Sequence, residues 1–194
     1  MRTRRRPRTL ATLVGITLSV LAMGLLVVEF QHGGPEPGLP LRDASVIRRQ
    51  AADKQLDPAL IAAVIYAETK FEPRTSSAGA LGLMQILPET ANFIANKSGG
   101  TRFNTSDLAT PAINLAYGSW YLRYLLDHYN GRELPAIAAY NAGLANVDEW
   151  LARADGSLTV ADIPFPETQA YVQRVLQAQH EYRTSYPRQL GYGS

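Results

Sequence analysis

Cysteine is absent from the 194 residues. That excludes a disulfide framework, a thiol nucleophile and any cysteine-ligated metal site. Histidine is scarce: His32, His128 and His180 stand far apart, none in the spacing of an H-E-x-x-H zinc helix, so no metal or other cofactor is expected. The body of the chain also has no positive excess. Of its 19 Lys+Arg, five are Arg2, Arg4, Arg5, Arg6 and Arg8; from Pro35 onward the other 14 face 16 of the 17 Asp+Glu, all but Glu29, a balance of −2. With no Lys/Arg stripe in the body, nucleic acid is not an expected partner. Alternating apolar and polar runs longer than a few residues are missing too, which argues against a sheet-based fold.

What is present begins with a charge-free stretch. Leu10 to Val28 contains no charged residue, follows the arginine cluster and ends at Glu29. A spanning helix needs roughly 17–25 apolar residues, a cleaved signal only about 7–15 plus a small-x-small site. The stretch is therefore expected to be a membrane anchor, with cleavage after Ala22 as the alternative. The arginines then stay on the cytoplasmic side and the rest of the chain is exported. The division expected is 1–32 arginine cluster and anchor, 33–42 Gly/Pro-rich linker, 43–186 one catalytic domain and 187–194 a tail.

The domain reads as all-α. Residues 44 to 55 form an amphipathic first helix, and Asp57-Pro58 opens a second with Leu60, Ile61, Val64 and Ile65 on one face. Ser76 to Gln85 is an irregular, Gly-containing loop. Pro88 starts a helix ended by Ser98-Gly99-Gly100, and Thr110-Pro111 starts one that stops at Asn130-Gly131, with Ile113, Ala116, Tyr117, Trp120, Tyr124 and Leu125 as its buried stripe. Shorter helices around 133–140 and 144–154 follow, then a last one from Pro166 to about Tyr182.

Glu68 breaks the pattern. It sits three or four residues beyond Val64 and Ile65, so a carboxylate continues an apolar face at the C-terminal end of its helix, where the macrodipole opposes negative charge. Burial and helix terminus both push a carboxyl above its usual pKa of about 4.3, toward the roughly 6 of a general acid. The alternative is a boundary glutamate turned to water or paired with Lys70 or Arg74.

The residues around it carry a resemblance. Asp57-Pro58 through Tyr66-Ala67-Glu68, Phe71-Glu72-Pro73, Ser76-Ser77-Ala78-Gly79-Ala80-Leu81-Gly82-Leu83-Met84-Gln85, Asn114-Leu115-Ala116-Tyr117-Gly118, Ala138-Ala139-Tyr140-Asn141-Ala142-Gly143 and Glu167-Thr168 with Tyr171-Val172 resemble the soluble lytic transglycosylase family, over about residues 44 to 180. The resemblance implies a lysozyme-like helical domain with a groove for peptidoglycan glycan strands. It implies Glu68 as catalytic acid/base, Met84 and Gln85 lining the groove, Tyr140 holding the catalytic carboxyl, Asn141 on the sugar and Glu167 on the groove floor. Two departures stand out. Thr69 replaces the family's usual Ser after the catalytic Glu, and the stretch from Pro73 to Gly79 is one residue short, which leaves Ser76 or Ser77 as the groove serine, Ser76 being favoured by its distance from Gly79. Read without the family, Met84 is more often a core side chain than a substrate contact, and the Tyr140-Asn141-Ala142-Gly143 run is a helix stop.

Glycosidases commonly use two carboxyl groups. Near Glu68 in sequence stands only Glu72, beside Pro73, so a one-carboxylate reaction fits better. The resemblance implies one, in which the muramyl 6-hydroxyl is the nucleophile and a 1,6-anhydro end the product. The rivals are a muramidase of the same fold with Glu167 as base, and a non-catalytic peptidoglycan-binding module. A third reading, a membrane-tethered scaffold for a cell-wall or secretion assembly, is compatible with catalysis.

Overall fold

The computed structural model describes residues 38–99 and 104–193. The arginine cluster, the expected anchor over residues 10–28 and most of the linker lie outside them. Among the described residues no helix is long and apolar enough to cross a membrane.

Residues 39–193 fold as a helical domain around one central helix. The helices are α1 (Ala44–Lys54), α2 (Pro58–Thr69), α3 (Pro88–Ser98), α4 (Pro111–His128), α5 (Glu133–Ala142), α6 (Leu144–Arg153), α7 (Pro166–Ser185) and α8 (Pro187–Leu190). Two 3₁₀ turns, η1 (Thr105–Ala109) and η2 (Val160–Asp162), precede α4 and α7.

Helix α2 was read as one-sided, and it is not. Every residue from Ala59 to Ile65 is buried. Its small residues Ala59, Ala62 and Ala63 fill the side opposite Leu60, Ile61 and Val64, which lets neighbours approach on all faces, as in a core helix. Its principal neighbour is α7, which turns Thr168, Tyr171, Val172, Val175, Ala178, Gln179 and Tyr182 inward at helical spacing. Truncating Leu60 or Ile61 to Ala would cost about 2–5 kcal/mol.

Asp57 starts α2 as expected: its carboxylate accepts the Ala59 N–H at 3.0 Å, with Pro58 in the first turn. The same carboxylate also takes Arg183, Gln179 at 2.8 Å and the Tyr192 hydroxyl. The last residues, expected as a tail, thus carry α8, bury Leu190 and tie back to the start of α2. The end of the expected linker is held too. Tyr186 donates to the Leu39 carbonyl and Tyr182 to that of Pro40, both at 2.7 Å.

Two readings need correction. Thr110 begins α4 by position only, since its side chain makes no capping bond. The buried face of α4 is Asn114, Leu115, Gly118, Ser119, Leu122, Leu125 and Leu126, so of the expected stripe only Leu125 is buried. Large aromatic residues were taken for the core, whereas the helix meets the 81–84 loop through Gly118, against which Met84 packs, and through Asn114. The rings of Trp120, Tyr121 and Tyr124 lie half-buried at the side.

Candidate active site

Glu68 lies in the last turn of α2, and because that helix is enclosed on all sides its carboxylate can leave the core only at the helix end. Burial raises its pKa from the ordinary 4.5 to about 7. Three groups oppose that rise: the hydrogen bond from Tyr171, then the charges of Arg74 and Arg174. The Tyr171 hydroxyl donates to Glu68 Oε1 at 2.8 Å. Tyr171 is itself held well above the ordinary tyrosine pKa, by burial first and by the Glu68 charge second. It therefore stays protonated and acts as a fixed donor.

The backbone beyond Glu68 turns sharply. Lys70 and Phe71 have φ of 53° and 65°, left-handed values that side chains other than glycine seldom adopt. Such strain persists where the surroundings fix it. Here Phe71 is buried, and Arg74 reaches back to donate to the Glu68 carbonyl. Thr69 fastens the helix end to the loop opposite. Its hydroxyl lies 2.8 Å from the Leu83 carbonyl and 3.1 Å from that of Ile65. The hydroxyl that Thr69 keeps in place of Ser is thus in use, and its methyl is buried.

The stretch expected as an irregular loop contains a small hairpin. β1 (Arg74–Thr75) pairs antiparallel with β2 (Leu81–Gly82), Arg74 opposite Gly82 and Thr75 opposite Leu81. Ser76 closes its turn, its Oγ accepting the Ala80 N–H at 3.0 Å, while Ser77 is exposed. Gln85, at φ 48°, donates its amide to the carbonyls of Arg74 and Gly82 at 2.9 and 2.8 Å, which braces the loop. Asn114 holds the loop from α4: its Oδ1 accepts the Met84 N–H at 2.8 Å and its Nδ2 donates to Leu81 at 2.8 Å and Leu108 at 3.1 Å. Gly82 is required for this, since a Cβ there would lie 2.2 Å from the Asn114 amide at φ 75°.

Met84 and Tyr140 stand differently from expectation. The Met84 side chain is fully buried against Gly118, and what it offers toward the site is its carbonyl. That carbonyl accepts the Tyr140 hydroxyl at 3.0 Å. Tyr140 therefore fixes the loop, and the tyrosine bonded to the Glu68 carboxyl is Tyr171. The two belong to one cluster: burial and then the Glu68 charge raise the Tyr140 pKa well above its usual value.

Asn141 and Glu167 stand close together. With Phe165 and Thr168 they line an open cleft of about 430 Å³. The Thr168 hydroxyl donates to Asn141 Oδ1 at 2.7 Å, which orients the amide and leaves its NH₂ toward solvent. Glu167 is exposed and precedes Tyr171 by one turn of α7.

Two contributors were given no role from the sequence, where they stood only within the blocks that carry the resemblance. Tyr171 and Asn114 are polar residues on largely apolar helix faces, and that irregularity was the available signal. Thr69 stood out in the sequence only as the replacement of Ser after Glu68.

The chain is similar to known proteins over this same region. The Transglycosylase SLT domain family matches residues 45–162, more than half of the chain. Helix α7, with Glu167 and Tyr171, follows the matched stretch. The soluble lytic murein transglycosylase of Escherichia coli is 31% identical over 154 residues, 76% of this chain and 24% of the relative. A membrane-bound lytic murein transglycosylase C of Glaesserella parasuis is 30% identical over 71% of this chain and 45% of its own length. Among solved structures, an inactive glutamate-to-glutamine mutant of the lytic transglycosylase Slt of Pseudomonas aeruginosa superposes with a TM-score of 0.69 at 31% identity, covering 80% of this chain and 25% of that one. The chain therefore spans about a quarter of the length of the soluble relatives it matches.

Proposed function

The chain belongs to the Transglycosylase SLT domain family, and on that basis we propose that it is a peptidoglycan lytic transglycosylase with Glu68 as its single acid/base. The observation that carries the reading is the Glu68 carboxyl itself, its pKa raised to about 7 by burial and its Oε1 accepting the Tyr171 hydroxyl at 2.8 Å. A proton donor of pKa about 7 suits protonation of a glycosidic oxygen.

Glu68 gives its proton to the oxygen between N-acetylmuramic acid and N-acetylglucosamine. The bond from the muramyl anomeric carbon to that oxygen breaks, and the N-acetylglucosamine end leaves as an alcohol. Tyr171, with the Arg74 and Arg174 charges nearby, stabilises the carboxylate left behind. That carboxylate takes the proton of the muramyl 6-hydroxyl as its oxygen bonds to the anomeric carbon, closing a 1,6-anhydro ring and restoring the acid. The nucleophile belongs to the substrate, so its attack carries little entropic cost and needs no second carboxylate. Asn141, with its NH₂ free, suits a sugar acetamido or hydroxyl group, and Glu167 lies in the same cleft.

The place of action follows from the sequence: a membrane anchor over residues 10 to 28 with the domain on the extracytoplasmic face, held near the sacculus. The name of the membrane-bound relative is in keeping with this reading. The experiment that tests the function is digestion of purified sacculi by the wild type and by Glu68→Gln. The wild type is expected to release soluble fragments and the variant, folded, at least about a hundredfold fewer, as the loss of a general acid entails. A variant with more than a tenth of wild-type turnover would remove Glu68 from its role.

A further inference from the structure

The largest cleft among those characterised is not at Glu68. It lies between the end of α1 and the outer side of α4, has a volume of about 570 Å³, and is bounded by Asp53, Lys54, Trp120, Arg123, Tyr124 and Asp127. This is within the roughly 300–1,000 Å³ of small-molecule sites.

Its aromatic wall is rigid. Trp120 is stacked on Tyr124 with ring centroids 5.6 Å apart and planes 8° apart, and Tyr124 on Tyr121 at 6.3 Å and 11°. Phe93 meets Tyr124 edge-on at 5.2 Å. A half-exposed indole braced from behind in this way loses little freedom when something flat settles on it. Its N–H has no hydrogen-bond partner among the described residues, and the residue is half-buried.

The polar wall is balanced. Asp53 and Asp127 offset Lys54 and Arg123, with Arg123 bound to Asp127 at 2.7 Å and to the Gln55 carbonyl at 3.2 Å. A cleft of no net charge gives no advantage to an anion or a cation. It does present both donors and acceptors around the ring stack. Polar groups are also left over on the same two helices: Gln50 Oε1, Ser119 Oγ and Arg123 Nε are buried without a partner. Such atoms are uncommon in a finished core.

An apolar face beside a rim of hydroxyl and amide groups is the chemistry of a neutral N-acetylated sugar. We propose that this cleft is a second glycan-binding site, taking N-acetylglucosamine-containing strand outside the catalytic cleft and holding the domain on its insoluble substrate. The proposal rests on the function proposed above, and it concerns a separate surface. The stack leads on from Tyr121 to Tyr140 at 5.6 Å, so the second site is joined to the Glu68 cluster by continuous ring packing.

The test uses the full chain, ¹⁵N-labelled, in a detergent without a sugar headgroup. The protein has two tryptophans, Trp120 and Trp150, hence two indole N–H signals, assigned by loss of one in Trp120→Phe. Titration with chitotetraose is expected to move the Trp120 signal saturably. In the surface variant Asp53→Ala/Lys54→Ala the dissociation constant should rise at least threefold. A Trp120 signal that stays still, or one that moves equally well in the variant, overturns the proposal. In parallel, the same double variant is expected to digest intact sacculi three- to tenfold more slowly while cleaving short soluble strands at the wild-type rate. Equal rates on both substrates, or equal losses on both, overturn it as well. Should the wild type cleave neither substrate, the catalytic reading fails, while the titration still decides on sugar binding.

Discussion

The Tyr171 hydroxyl donates to Glu68 Oε1 at 2.8 Å across the α2–α7 contact. A donor favours the charged carboxylate, so this bond works against the burial that raises the Glu68 pKa to about 7. Tyr171→Phe removes the donor and leaves the burial. Glu68 then titrates higher than about 7, and the alkaline limb of kcat/KM, where the acid loses its proton, moves to higher pH. The maximum should fall about ten- to hundredfold, in line with the roughly 1.5–3 kcal/mol of a hydrogen bond to a charged group. A pH–rate profile on soluble glycan checks both effects. An alkaline limb that stays in place or moves down would take Tyr171 out of this role.

Burial of Glu68 also has a consequence for stability. Its folded pKa of about 7 exceeds the ordinary 4.5, so between these values the folded state holds more proton than the unfolded. The contribution is complete below about 4.5, declines as pH rises through about 7, and is a cost above that. Glu68→Gln cannot titrate. It should match the wild type near pH 4 and be more stable at pH 8 by about 1–3 kcal/mol, allowing for the partial exposure of Glu68. Thermal melts at the two pH values read this directly, and a difference independent of pH would contradict it.

Thr69 joins the helix that carries Glu68 to the loop that faces it. Thr69→Val keeps the shape but leaves the Leu83 carbonyl without its 2.8 Å donor. It should cost about 1–3 kcal/mol of stability and lower kcat by loosening Met84 and Gln85. Thr69→Ser keeps the hydroxyl and should lose only about 0.8 kcal/mol for the buried methyl. Denaturant melts of the pair separate the two, and equal losses would mean that packing, not the hydroxyl, matters at this position.

The helix boundaries were largely legible because they are set by local chemistry. Asp57-Pro58, Gly99 and Asn130-Gly131 start or stop helices through caps and left-handed turns that short-range sequence dictates. The carboxylate at the end of an apolar helix was legible for the same reason. What was not legible depends on which elements meet. The α4 stripe was misread because Gly118 and Ser119, and not the tyrosines, face the core, a choice made by the Met84 side chain and by α1. The tyrosine holding the carboxyl was sought in α5 and found in α7, since Tyr140 and Tyr171 both reach the cluster and only the packing of α7 on α2 decides which hydroxyl meets Glu68. Met84, read as lining the groove, contributes its carbonyl for a similar reason.

The proposed anchor predicts the N-terminus of the mature protein. N-terminal sequencing of the membrane fraction should find residues 10 to 28 retained, and the domain should be reachable by protease only from the extracytoplasmic side. A free domain beginning near Met23 would show that the segment is a cleaved signal.

The central claim is that Glu68 acts alone and that the substrate supplies the nucleophile. Mass analysis of the fragments released from purified sacculi tests it most directly, because closing the 1,6-anhydro ring leaves each new muramyl end one water lighter than hydrolysis would. The account predicts anhydro ends as the main product from the first turnovers. Predominantly reducing ends would contradict it, would mean that water is the nucleophile, and would make Glu167 the first residue to test as its base.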